Sequence, residues 1–245
     1  TKEFVERDSA GLFYGYELKS ELYQSESQFQ NIRVVETKAC GRMLLLDNLV
    51  MLTDSDAFVY HEMISHIPVA LHGNPQKVLV IGGGDGGTIT ELVKYPSIKQ
   101  ITLCEIDALV VETCRTYFPA LTKGFDDPRV EIQIADGIEF VRNARPDYDL
   151  IIVDSTDPID HGAVLFTKDF YRCAAAALKD EGIMVAQTES PWADKAFLKR
   201  IQQNINGGFT HCAPFIAPIP TYPRGYWSWT AASKTPFKPL TTTSF

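Results

Sequence analysis

Positive charge is in short supply in this 245-residue chain: 23 Lys and Arg stand against 31 Asp and Glu, a formal net charge of −8 at pH 7. That balance disfavours nucleic acid and anionic membrane surfaces as partners and mildly favours cationic ligands. Long apolar runs are missing as well. The longest are strand-sized, so no segment is expected to span a bilayer, and the opening TKEFVERD lacks a signal-peptide pattern. The five cysteines (Cys40, Cys104, Cys114, Cys173 and Cys212) are odd in number and scattered, without a C-x-x-C pair. A disulfide framework and a zinc site are therefore not expected, and a soluble, cytoplasmic protein is. Neither an internal repeat nor a low-complexity tract is present.

What is present is organised around Val78–Gly87, VLVIGGGDGG. Four β-favouring residues run into a glycine-rich turn, and Ile89, Leu92 and Val93 follow at helical spacing, which reads as strand, tight turn, helix. Gly82, Gly84 and Gly87 have the spacing of a dinucleotide-type fingerprint, where the missing Cβ atoms allow a sharp turn and close approach to a ligand. A second strand, Gln100–Cys104, ends in Glu105, placed where a carboxylate accepts hydrogen bonds from both ribose hydroxyls. Asp85 sets this loop apart. A helix N-terminus attracts anions, and an Asp there supplies its own, so a cationic or carboxylate-free ligand fits better than a phosphate.

Residues 29–52 alternate and turn like antiparallel strands (Phe29–Glu36, Arg42–Leu46, Leu49–Leu52), with another possible strand near Leu18–Gln24. Helical spacing takes over from Ser55 to Leu71 and ends at His72-Gly73-Asn74-Pro75. A small N-terminal antiparallel β-domain over 1–53 is therefore expected, then a catalytic domain over 54–245 opened by a connecting helix over 54–74. After Pro75, strands and helices alternate to Asn206, and Thr210–Phe215 with Tyr226–Ala232 form a closing antiparallel pair. Such alternation predicts an α/β fold: a Rossmann-like, methyltransferase-type doubly wound sheet that binds ligands at the carboxyl ends of its strands. Those ends carry six carboxylates: Asp85, Glu105, Asp136, Asp154, Asp157 and Glu189. So many like charges need a cation in the crevice, and their spread over several strands favours an organic amine over a catalytic metal. Asp154 and Asp157 lie in DSTDP, a shaped loop at a strand end, where a carboxylate can hold an attacking amine and accept its proton.

GGGDGG, CEID at 104–107, ADG at 135–137, DSTDP at 154–158, YHE at 60–62 and PTYP at 220–223 occur in an order and spacing that resembles the spermidine synthase family of polyamine aminopropyltransferases, from about Phe29 to Lys234. The resemblance implies transfer of the aminopropyl group of decarboxylated S-adenosylmethionine to a diamine, putrescine foremost, giving spermidine and methylthioadenosine. It implies no cofactor beyond that co-substrate and no metal. On the donor side it places Gln30, Gly82, Gly84, Asp85, Glu105, Asp136 and Gly137: Asp85 on the terminal ammonium, Glu105 on the ribose, Asp136 on the adenine amino group. Asp154 with Tyr60 would hold and deprotonate the attacking nitrogen. Asp157, Glu189, Tyr222 and His61 would bind the acceptor; Trp192 and Trp227, aromatic side chains near these motifs in sequence, are further candidates for lining its methylenes. It also implies a homodimer or homotetramer, for which the 29–52 strands are the expected pairing surface.

The chain departs from the family pattern in three places. Asp160, His161 and Gly162 replace Gly-Pro-Ala after DSTDP, DSDAF at 54–58 replaces ERDEF, and PTYPRG puts Arg224 where serine is usual. An inward-facing Arg224 would partly neutralise Glu189. Two alternatives stand beside this reading: an S-adenosylmethionine-dependent amine N-methyltransferase on the same fold, which Asp85 argues against, and a non-catalytic relative that senses polyamine or nucleoside, which the retained Tyr60, Asp85, Asp154 and Asp157 argue against.

Overall fold

The structure, a computed structural model, describes residues 2–8, 11–156, 160–192 and 195–239, with the backbone alone at 160 and 161. Asp157 therefore lies outside the described residues, as do the side chains of Asp160 and His161.

Five antiparallel strands come first: β1 (Lys2–Arg7), β2 (Phe13–Glu26), β3 (Asn31–Thr37), β4 (Arg42–Leu46) and β5 (Leu49–Thr53), paired in chain order. Asp47 and Asn48 turn between β4 and β5 with positive φ, a backbone state these two residue types tolerate. Successive residues of β3 and β4 point to opposite faces, as strands require. Ile32, Val34, Leu44 and Leu46 pack on a helix of the second domain, while Val35, Met43 and Leu45 pack with Phe4, Leu18 and Val50. These central strands are thus buried on both faces, contrary to the expectation that 29–52 forms an exposed pairing surface. The outlying apolar side chains are Val5, Leu12, Phe13 and Leu22, on and between β1 and β2. Sequence pattern missed β1 and the first half of β2, because KEFVER and FYGYEL alternate apolar with charged or small residues only weakly.

Helix α1 (Ala57–His72) joins the two sheets and stops at Gly73, whose φ of 88° is left-handed and whose N–H returns to the Val69 carbonyl. Its buried stripe includes Tyr60, His61, Ile64, Ser65 and Pro68, so the tyrosine and histidine of the YHE motif face inward. Then follow β6 (Lys77–Gly82), α2 (Gly87–Leu92), β7 (Gln100–Glu105), α3 (Ala108–Tyr117), α4 (Pro119–Thr122), β8 (Val130–Ile134), α5 (Gly137–Asn143), β9 (Tyr148–Asp154), α6 (Lys168–Ala177), β10 (Leu178–Gln187), α7 (Lys195–Ile205), β11 (His211–Pro218) and β12 (Tyr226–Ser233). The sheet order is β11-β12-β10-β9-β6-β7-β8; β12 runs antiparallel to its neighbours on both sides, and the pairs from β10 to β8 are parallel. Apolar clusters cover both faces, which explains the unbroken burial of YDLIIVD in β9.

Candidate active site

Register delivers the chemistry to one edge. Gly82 pairs with Asp154 and Glu105 with Ile134, so the ends of β6, β7, β8 and β9 are level. The crevice between β6 and β9, where connections diverge, is where sheets of this order bind ligands. Gly82 (φ 75°) passes so close to β9 that a Cβ there would lie 2.2 Å from the Asp154 carbonyl oxygen. At Gly84 a Cβ would lie 2.8 Å from Glu105 Oε2, which instead accepts the Gly84 N–H at 3.1 Å. Both glycines are needed for the loop to reach the two carboxylates.

Asp154 is buried and accepts two hydroxyl hydrogen bonds, from Tyr60 Oη to Oδ1 at 2.8 Å and from Thr88 Oγ1 to Oδ2 at 2.6 Å. Burial first, and then the neighbouring Asp85 charge, push its carboxyl up to about 6 despite the opposing pull of His61 and the two hydroxyls. Tyr60 is raised well above the usual phenol range by burial and by Asp154, so it remains a donor. Asp85 accepts the Gly87 N–H at 2.7 Å and faces His61 Nε2 at 3.0 Å. Burial works against charge on both partners, but their attraction outweighs it: Asp85 is held below, and His61 above, its ordinary range. Glu105 is pushed up to about 7 by burial, although the N–H groups of Asp107 and Gly84 favour its charged form.

Two cavities meet here. The larger, about 1270 Å³ including its open mouth, is lined by Gln30, Gly82, Gly84, Asp85, Glu105, Asp136, Gly137 and Asp154 among others. Gln30 Nε2 donates to Asp107 Oδ2 at 2.9 Å, and Asp136 Oδ1 caps α5 through the Ile138 N–H at 2.8 Å. The smaller, about 350 Å³ including its open mouth, is lined by Glu6, Gln187, Pro223 and Trp227. Tyr60, Tyr222, Met51, Ser155 and Thr156 line both, so Tyr60, hydrogen-bonded to Asp154, stands at the junction. Tyr222 is anchored by donating to the Met51 carbonyl. The rings of Tyr60, Tyr222 and Trp227 form a chain, with centroids 6.1 and 4.9 Å apart.

Other expected site residues sit differently. His61 lines neither cavity and lies behind Asp85; Glu189, at φ 68°, also lines neither. Trp192 is 60% exposed. Arg224 pairs with Asp8 through its Nε at 3.1 Å. Two residues that sequence reasoning did not single out belong here, Thr88 and Glu6, beside Gln187 at the carboxyl end of its strand. Thr88 had a signal, a hydroxyl directly after GGGDGG. Glu6 had none, since only the pairing of β1 with β2 brings it over the second domain.

A mostly parallel α/β sheet with a glycine loop, an acid at the end of its second strand and an acid-lined crevice defines a Rossmann-like fold of the methyltransferase type. Comparison with known proteins narrows this. The spermine/spermidine synthase domain matches residues 57–242, and the spermidine synthase tetramerisation domain matches residues 4–54. The polyamine aminopropyltransferase of Moorella thermoacetica is 47% identical over 231 residues, covering 94% of this chain and 82% of that one. A spermidine synthase solved in complex with the transition-state analogue AdoDATO superposes with a TM-score of 0.94 at 39% identity, over 100% of this chain and 83% of the other. The Thermotoga maritima spermidine synthase gives 0.90 at 38%, over 100% and 82%. The chain belongs to the spermine/spermidine synthase family and is a polyamine aminopropyltransferase.

Proposed function

We propose that the larger cavity takes decarboxylated S-adenosylmethionine, that the smaller takes a diamine of putrescine size, and that the products are spermidine and methylthioadenosine. The observation that carries this reading is the meeting of the two cavities at Tyr60 beside the buried Asp154. An amine entering from the smaller side and a sulfonium from the larger would react there. The amine lone pair forms a bond to the carbon beside the sulfonium, the carbon–sulfur bond breaks, and its electron pair returns to sulfur as a neutral thioether. The proton leaves the new ammonium for Asp154. Positioning and electrostatics carry most of the rate in such a displacement.

In this reading Asp85 meets the donor's terminal ammonium, Glu105 the ribose hydroxyls and Asp136 the adenine, with Gln30, Gly82, Gly84 and Gly137 shaping the pocket. His61 positions Asp85 from behind. Tyr222 and Trp227 line the acceptor's methylenes, and Glu6, with Asp157 and Glu189, supplies negative charge for the far ammonium. Each added CH₂ changes burial by only about 0.8 kcal/mol, whereas a misplaced ammonium leaves a carboxylate unpaired. Putrescine is therefore expected to give the highest kcat/KM among putrescine, cadaverine, agmatine and spermidine, with cadaverine detectable; a different best acceptor contradicts the assignment of the smaller cavity.

The pH dependence follows from Asp154. At saturating donor, kcat/KM for the acceptor should fall as pH drops through about 6, where the carboxyl gains the proton it must be free to accept. A pH–rate profile flat from pH 5 to 7 would remove Asp154 from that role.

The domain boundary is proposed between residues 53 and 54, with the chain assembling as a homodimer or homotetramer through the N-terminal sheet. The match of residues 4–54 to a tetramerisation domain and the exposed Phe13 and Leu22 support this. Sedimentation at micromolar concentration should show no dominant monomer. The free thiols of Cys40, Cys104, Cys114, Cys173 and Cys212 suit the cytoplasm.

A further inference from the structure

We propose that the Asp8–Arg224 ion pair latches the outer end of the smaller cavity and thereby sets the longest amine the enzyme accepts, an inference that rests on reading that cavity as the acceptor pocket. The argument starts from strand alternation. Phe4, Glu6 and Asp8 share one face of the first hairpin, across from Tyr16 and Tyr14, which pair with Phe4 and Glu6. Glu6 on this face lines the cavity while its Oε2 accepts the Val50 N–H at 2.9 Å. The next inward position is Asp8. Its Oδ2 accepts from Arg224 Nε at 3.1 Å, and its Oδ1 is fixed by the Leu12 N–H at 2.9 Å.

Arg224 directly follows Pro223, which lines the cavity together with Glu6. Its N–H donates to Tyr14 Oη at 3.2 Å, and Tyr16 Oη donates to the Thr221 carbonyl at 2.7 Å. The hairpin and the 221–225 loop are thus stitched together at three points, with one ionic stitch. Neither Asp8 nor the Arg224 side chain lines either cavity, so the pair acts by holding Glu6 and Pro223 in place. Side-chain exposures of 11% for Asp8 and 25% for Arg224 leave the pair only partly screened by water. Arg224 also holds φ at 67°, a left-handed state rare for arginine, so its contacts must outweigh a backbone cost.

With its reacting nitrogen at Asp154, a diamine ends near Glu6. A triamine carries a further aminopropyl arm that needs room between Glu6 and Pro223, the two lining residues that the pair holds together. A closed latch leaves none.

The test compares kcat/KM for putrescine and spermidine in the wild type, in Asp8→Asn, in Arg224→Gln and in the charge-exchanged double variant D8R/R224D, with a thermal melt of each. Each single variant should raise the spermidine-to-putrescine ratio about fivefold, mainly through a lower KM for spermidine, and the exchanged pair should return it towards the wild-type value. An unchanged ratio overturns the latch, as does an exchanged pair that behaves like the single variants. A parallel loss for both amines with a lower Tm also overturns it, since that marks a merely structural pair. Absence of turnover in the wild type removes the acceptor pocket and the latch together, whereas normal putrescine turnover with a fixed ratio removes the latch alone.

Discussion

Asp154→Asn should lower kcat/KM by about 10²–10⁴-fold, the range typical of losing a positioned proton acceptor, while donor affinity stays close to wild type. The amide retains the shape of the carboxylate, and the hydroxyls of Tyr60 and Thr88, now 2.8 and 2.6 Å from its two oxygens, can each rotate to accept as well as donate. Stability should move the other way at neutral pH. The folded carboxyl titrates near 6, above its ordinary value of 3.8, so its favourable contribution is complete below pH 3.8 and is lost as pH rises through 6. At pH 7 the buried charge is a burden that the amide removes, and thermal melts at pH 5 and pH 7 should show the variant gaining on the wild type only at the higher pH. Activity within about tenfold of wild type would take the base role away from Asp154.

Asp85→Asn is the second large effect and is read in donor choice. The Asp85 carboxylate is fixed from one side by the Gly87 N–H and from another by His61 Nε2, and it lines the larger cavity at the start of α2. In the proposed donor site, a negative charge held there would attract the ammonium of the decarboxylated donor and repel the carboxylate of S-adenosylmethionine. Hydrogen bonds to charged groups contribute about 1.5–3 kcal/mol, so the variant should lose about ten- to a hundredfold in affinity for the decarboxylated compound. Affinity for S-adenosylmethionine should rise, because repulsion goes with attraction. Titration calorimetry with both sulfonium compounds measures the ratio, and an unchanged ratio would place discrimination elsewhere.

The parts of this protein legible in its sequence are those governed by local rules. The glycine loop, the acid ending β7 and the strand–helix alternation each follow from short-range constraints on turns, caps and periodicity, and the structure places Gly82, Asp85, Glu105, Asp136 and Asp154 around one cleft. What was illegible depends on contacts between distant segments. The first hairpin carries few apolar residues in a clean alternation, so nothing in the sequence marks Glu6 for the site; only its pairing with β2 and its bond to Val50 bring it to the second cavity. Arg224 was ambiguous for the same reason, since its partner Asp8 lies at the far end of the chain. His61 illustrates a different limit. Its neighbour Tyr60 lines both cavities, and one step along the helix rotates the histidine behind Asp85 instead.

The central claim is that this chain moves an aminopropyl group rather than a methyl group. Mass spectrometry of the products formed from putrescine with decarboxylated S-adenosylmethionine, and separately with S-adenosylmethionine, tests it directly. Spermidine and methylthioadenosine in equal amounts from the first mixture, with no N-methylputrescine from the second, is the predicted result; N-methylputrescine with S-adenosylhomocysteine, or no product at saturating substrates, would contradict it.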